Sequence, residues 1–149
     1  MDFQKVLPPV WFLLSIILMV SLHLWLPIKQ LFFPPITYLG IGAILGGIAM
    51  VLACGYLFRK QNTTIKPFQE SSYLLMEGLF TKSRNPIYLG MIITLIGLWI
   101  VLGSLTPLII IPTFTWLIQE TFIKQEEKML EDKFGEEYKE YKTTVRRWI

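Results

Sequence analysis

Residues 85–119 read NPIYLGMIITLIGLWIVLGSLTPLIIIPTFTWLIQ, 35 consecutive positions without one charged side chain. At ~1.5 Å per residue, a single helix of that length would far exceed a ~30 Å hydrocarbon core. Gly103-Ser104 and Pro107 favour a turn in its middle. The stretch therefore predicts a tight hairpin of two short spans, 86–102 and 105–122. Working outward, residues 30–58 are uncharged over 29 positions and residues 6–28 over 23. They predict spans at 36–58, after Pro34-Pro35, and at 10–26. The whole chain is 149 residues, 53% hydrophobic and 17% charged, with mean hydropathy +0.51. Soluble domains are about one-quarter charged, so the surface lacks the groups that keep a protein in water. The expectation is one domain, 1–149: an all-α integral membrane helical bundle of about four transmembrane helices, closed by a C-terminal amphipathic helix.

The few charges set the orientation. Segment 59–85 holds Arg59, Lys60, Lys66, Lys82 and Arg84, and the tail 123–149 holds seven more bases. The opposite side has Lys29 alone, so the positive-inside rule places both termini and the central loop in the cytoplasm. A cleaved signal peptide is the competing reading of residues 1–26. Asp2 beside Lys5 and the missing small-x-small site after Leu22–Leu26 disfavour it. A net charge of +3 gives no case for nucleic acid, and a single cysteine, Cys54, excludes an internal disulfide or a CxxC metal site. No metal-ligand constellation is present.

Within the spans, Gly42 and Gly46 have GxxxG spacing, and Gly90 and Gly97 share a helix face seven residues apart. Contacts inside the molecule are the expected use of these glycines and of Gly40 and Gly47, ahead of a dimer. His23 is expected to make an interhelical hydrogen bond near the far interface, and Cys54 to be packed.

Two charged segments carry the chemistry. In GLFTKSRNPIYLG, 78–90, Asn85 suits an N-cap and Pro86 the first helical position. The free N–H groups and positive dipole end of that helix, with Arg84 beside them, suit a carboxylate or phosphate. Tyr88 lies in the first turn, and Gly90 leaves room against the helix. The plainer reading gives Lys82 and Arg84 to lipid headgroups and makes Tyr88 an interfacial anchor. In the tail, Leu130, Phe134, Tyr138, Tyr141, Val145 and Trp148 are spaced 4, 4, 3, 4 and 3, one apolar stripe on a helix continued past Gly135. Eight acids face seven bases from residue 119 onward. That balance favours folding back over other cytoplasmic segments, with a cationic ligand or Arg84 and Lys82 meeting Glu126 and Glu127.

At these residues the chain resembles the isoprenylcysteine carboxyl methyltransferase and phospholipid methyltransferase family. GLFTKSRNPIYLG, 78–90, resembles its G-[FY]-x-x-x-R-[HN]-P-x-Y-x-G signature. EEKMLEDKFGEEYKEY, 126–141, resembles its EE-x-x-L-x-x-x-FG-x-x-Y-x-x-Y signature. The likeness covers roughly 65–149 with the helical hairpin between. It implies a bacterial-type membrane methyltransferase of the inner membrane, binding S-adenosylmethionine at the cytoplasmic helix ends and acting on a lipophilic acceptor drawn from the membrane lipids or their neighbours: an isoprenylcysteine-like carboxylate, a phospholipid or another small hydrophobic molecule. By the family pattern, Tyr73, Leu74, Leu75 and Phe80 line the adenosine pocket. Arg84, Asn85, Pro86, Ile87 and Tyr88 lie along the cofactor, and Glu126 meets its amino group or sulfonium. Two positions depart from the eukaryotic enzymes, which have His at Asn85 and Arg at Phe122. Methyl transfer to a ready nucleophile needs alignment more than acid–base help, and no catalytic residue is assigned. A nicotinamide-dependent sterol-reductase-like enzyme and a non-catalytic partner protein are the alternative readings. The oligomeric state and the acceptor's identity have no code in these residues.

Overall fold

A computed structural model describes residues 7–60 and 73–149. Residues 1–6 and 61–72, the latter the part of the central loop that holds Lys66, lie outside these residues. Among those described, the chain is all helical: α1 Pro8–Trp25, α2 Ile36–Lys60, α3 Pro86–Leu102, α4 Ile110–Ile118, α5 Lys124–Phe134 and α6 Glu136–Thr144. A 3-10 turn, Thr106–Ile109, leads into α4, and a π-helical turn, Gln119–Ile123, joins α4 to α5. Helix therefore runs without a break from Thr106 to Phe134. Three stretches are long and apolar enough to cross a membrane, Pro8–Trp25, Ile36–Lys60 and Thr106–Phe134, and Pro86–Leu102 is a shorter apolar helix. Large apolar side chains such as Leu13, Ile17, Leu39, Leu45 and Leu52 are exposed on α1 and α2, as expected of a surface that meets lipid. The protein is an integral membrane protein.

Glycines set the tightest contact, between α2 and α3. A Cβ on Gly40 would sit 2.5 Å from the Gly97 carbonyl oxygen, and one on Gly47 2.5 Å from that of Gly90. The reciprocal Cβ atoms, on Gly97 and Gly90, would lie 2.6 and 2.8 Å from the Gly40 and Gly47 oxygens. Two glycines seven apart on each antiparallel helix thus place backbone on backbone. The room beside Gly90 is filled by α2, not left for a ligand. Gly42 and Gly46 face open space with no atom within 4 Å of an added Cβ. They make none of the expected internal contacts, because the helix presents Gly40 and Gly47 on the packed face and turns these two away.

The apolar core joins α1, α3 and α4 through Met19, Tyr88, Met91, Leu95, Phe114, Ile118, Phe122 and Ile123. The end away from the signatures closes on the 103–104 turn. Gly103 takes the left-handed conformation, φ 74°, that ends α3, and its carbonyl accepts from Leu31 N–H at 2.6 Å. His23 Nδ1 lies 2.8 Å from Ser104 Oγ, the interhelical bond anticipated for it. Cys54 is buried with Leu75 and Phe80, packed as anticipated.

The tail stripe is not one helix. Gly135 adopts φ 53°, ψ −121°, which ends α5 and turns α6 back. Leu130, Phe134, Tyr138, Tyr141 and Val145 still converge, now from two helices, and enclose Leu74. The turn lets Tyr141 Oη donate to the Phe80 carbonyl at 2.6 Å, tying the tail to the segment before α3. Tyr141→Phe is expected to lower stability by about 1 kcal/mol, the net worth of one buried hydrogen bond, read as a shift in the denaturation midpoint of the detergent-solubilised protein.

Candidate functional site

The start of α3 and the first turn of α5 meet at one end of the bundle. Pro86 at the first helical position fixes where α3 begins, and Asn85 precedes it with φ −129°, ψ 53°. Asn85 does not cap the helix with its side chain, contrary to expectation. Ser83 Oγ instead accepts the Asn85 N–H at 3.1 Å, and the Asn85 amide donates to the Arg147 carbonyl at 3.2 Å. The segment after α6 lies across this helix end, so an amide side chain has a carbonyl to reach outward for.

Two acid–partner pairs link the signatures. Tyr88 Oη donates to Glu126 Oε1 at 2.8 Å. Arg84 Nη2 donates to Glu127 Oε1 at 3.1 Å, and Arg147 grips the same carboxylate with Nε at 3.0 Å and Nη2 at 2.6 Å. The Arg84 and Glu127 side chains are only 10% and 9% exposed. Arg84 Nε is buried and makes no hydrogen bond. A buried donor without an acceptor costs stability until something accepts from it. The arginine therefore found its carboxylate in Glu127, and Lys82 stays exposed, outside the pairing expected of it.

Among the described residues no cation pairs with Glu126. Burial pushes its carboxyl up to about 7, the Glu127 carboxylate adds to the rise, and the Tyr88 hydrogen bond opposes it. A partly buried carboxyl that titrates near neutrality beside an unsatisfied guanidinium donor is a pair of half-met demands, one for a cation and one for an anion.

The other candidates fall in two places. Phe80 and Leu75 are buried with Ile87 packed against them at the end of α2, and Pro86 is fully buried beside them. Leu74 is separated from that group, under Tyr138 and Tyr141, and Tyr73 is 47% exposed. Arg84, Asn85, Pro86, Tyr88 and Glu126 are thus gathered, Phe80, Leu75 and Ile87 form an apolar patch beside them, and Tyr73 and Leu74 stand apart. Sequence reasoning passed over Ser83 and Arg147 as parts of the site, and named Glu127 only as a carboxylate for a cationic ligand or for Arg84 and Lys82 to meet. The available signal was the doubled Glu126-Glu127, whose adjacent positions on a helix point about 100° apart and so meet different partners. Among the described residues no cluster of His, Cys, Asp or Glu would hold a metal ion.

Comparison with known proteins adds to this geometry. The phospholipid methyltransferase family model matches residues 35–137. Protein-S-isoprenylcysteine O-methyltransferase of Saccharomyces cerevisiae is 32% identical over 103 residues, covering 68% of this chain and 43% of the yeast protein. A Haemophilus influenzae protein described only as uncharacterized is 36% identical over 63 residues, covering 42% of this chain and all of its own length.

Proposed function

The chain belongs to the phospholipid methyltransferase family and is a membrane methyltransferase, and from that footing we propose that it uses S-adenosylmethionine to methylate a lipophilic acceptor. The observation that carries this reading is the paired demand at the start of α3. The cofactor's amino-acid end bears one ammonium and one carboxylate. Glu126, without a cation, suits the first; the α3 N-terminus with Arg84 Nε suits the second. The apolar patch of Leu75, Phe80 and Ile87 suits the adenosine, with Pro86 and Tyr88 alongside. Tyr73 and Leu74 are assigned to the same pocket by family likeness alone.

The bound cofactor supplies an electrophilic methyl group on a sulfonium. What the protein adds is position and dryness. Tyr88 holds the Glu126 carboxyl in one orientation through its hydroxyl, and Glu127 holds Arg84 at the helix end. The α1, α3 and α4 core beside Tyr88 excludes water, and a greasy acceptor would approach from the lipid around it. Aligning two bound reactants contributes most of such a displacement's rate. Phe122 is fully buried in that core and offers no charge to an acceptor carboxylate, which favours a phospholipid or other neutral lipophile over an isoprenylcysteine-type acid. The excess of Lys and Arg in 59–85 and the tail supports a cytoplasmic side for this end and both termini, in line with the bacterial inner membrane that the family likeness implies.

The test is equilibrium binding of radiolabelled S-adenosylmethionine to the protein in detergent at pH 5.5 and 7.0. Over that range an α-amino group, with pKa about 8, stays protonated, while Glu126 ionises toward its midpoint near 7. Affinity should rise roughly ten-fold, about 1.4 kcal/mol, as the carboxylate forms. Glu126→Gln should bind more weakly and with no pH dependence. Stability runs the other way: a carboxyl with a raised folded pKa stabilises below its unfolded value near 4.5 and loses that advantage as pH climbs through 7. Failure of the wild type to bind at either pH, or a Glu126→Gln profile matching wild type, would falsify the assignment.

A further inference from the structure

Residues 145–149 follow α6 without regular structure, starting from an extended Val145 at φ −120°, ψ 129°, and run back over the start of α3. The Arg84 N–H donates to the Arg146 carbonyl at 3.0 Å. Ser83 Oγ and Asn85 Nδ2 both donate to the Arg147 carbonyl at 3.2 Å. Arg147's guanidinium forks onto Glu127, and Trp148 packs against the apolar core. None of the five residues is buried, and Ile149 is 76% exposed. A segment held by a few polar contacts and the apolar side chains of Val145 and Trp148 opens at far lower cost than the bundle unfolds.

The contacts it makes are telling. A neutral carbonyl oxygen occupies the amide of Asn85 and the hydroxyl of Ser83, at a positive helix end and beside a buried guanidinium Nε that still lacks an acceptor. That surrounding favours a full negative charge over a carbonyl dipole. The segment is a weaker occupant of an anion's place.

We propose that residues 145–149 form a displaceable latch: the Arg147 carbonyl holds the donors of Ser83 and Asn85 until a ligand carboxylate takes them, and the Arg147–Glu127 fork sets how readily the segment lets go. The identity of that ligand rests on the cofactor reading above; the latch itself does not. Release of the segment opens the start of α3, and the segment and the ligand hold these donors in turn.

The experiment uses the full chain in detergent, with Arg147→Ala and the milder Arg147→Lys. Without ligand, hydrogen exchange at the Arg84 amide and through 145–149 should be roughly ten-fold faster in Arg147→Ala, the effect of losing about 1.4 kcal/mol of charge-assisted bonding. Arg147→Lys should fall between. S-adenosylhomocysteine, which carries a carboxylate, should raise exchange in 145–149 of the wild type, whereas methylthioadenosine, which lacks the amino-acid end, should leave it unchanged. Association of S-adenosylhomocysteine should quicken in Arg147→Ala, because less has to be displaced from the donors. Exchange at Arg84 that is the same in Arg147→Ala and wild type overturns the latch, as does S-adenosylhomocysteine that binds while 145–149 stays equally protected. Faster exchange in Arg147→Ala with neither nucleoside binding supports the latch and overturns the cofactor reading.

Discussion

Glu127→Ala is expected to cost on the order of 3–5 kcal/mol of folding stability, the range for breaking a buried ion pair by removing one partner. The carboxylate accepts three hydrogen bonds, one from Arg84 and two from Arg147. The two guanidinium groups have different escapes. Arg147 is 32% exposed and can swing into water, so its loss is screened. Arg84 is 10% exposed and would keep a full charge with no counter-charge and a second unsatisfied nitrogen. The penalty therefore comes from Arg84. Glu127→Gln keeps the shape and one acceptor oxygen and should cost less. The double variant Arg84→Met with Glu127→Leu removes both charges and should recover most of the stability while cofactor binding stays lost. Chemical denaturation in detergent reads all three. A Glu127→Ala midpoint indistinguishable from wild type would mean that the pair carries no stability.

Gly47→Val is expected to be at least as damaging, and for a reason unrelated to charge. The new Cβ would meet Thr94 Oγ1 and the Gly90 carbonyl oxygen, the latter at 2.5 Å, and Thr94 N at 2.8 Å. Two of the three obstacles are backbone, so no rotamer relieves the clash and α2 must move off α3. Overpacking a close contact costs about 1–3 kcal/mol where side chains yield, and more where they cannot. The α2–α3 pair is the most extensive in the bundle, so separation should abolish the folded protein or leave it without a site. Gly42→Val is the control, because its Cβ would meet nothing within 4 Å. Comparable yields of monodisperse protein from both variants would refute the seam.

The helical membrane fold was legible because charge and hydropathy report solvent, and solvent decides where helices run. The α3 boundaries followed from Pro86 and Gly103, whose backbones leave little choice. What escaped was phase. Gly40, Gly42, Gly46 and Gly47 are alike in composition, and only their angular position on α2 separates a backbone contact from an open face. The tail stripe misled for a related reason: its spacing suits one helix, but Gly135 at positive φ makes two, and Leu130 to Val145 converge on Leu74 while Trp148 packs on the main core. At the site, Arg84 and Glu126 were found as residue types with unmet charge. Ser83 and Arg147 were missed because their roles come from a segment folding back over α3, a long-range contact that local pattern does not contain.

The π-helical turn at Gln119–Ile123 has a consequence for the aim of the acids. Such a turn holds one residue more than an α-helical one needs, and each residue of an α-helix advances about 100° around its axis. Everything after Ile123 is therefore rotated by about that angle relative to an uninterrupted helix. The rotation carries the side-chain directions of Glu126 and Glu127 from where α4 alone would send them round to the face that meets Tyr88 and Arg84. One surplus residue in a membrane helix acts as a phase shifter. It lets α4 keep its own angular register against the apolar core while α5 presents a differently indexed face to the start of α3.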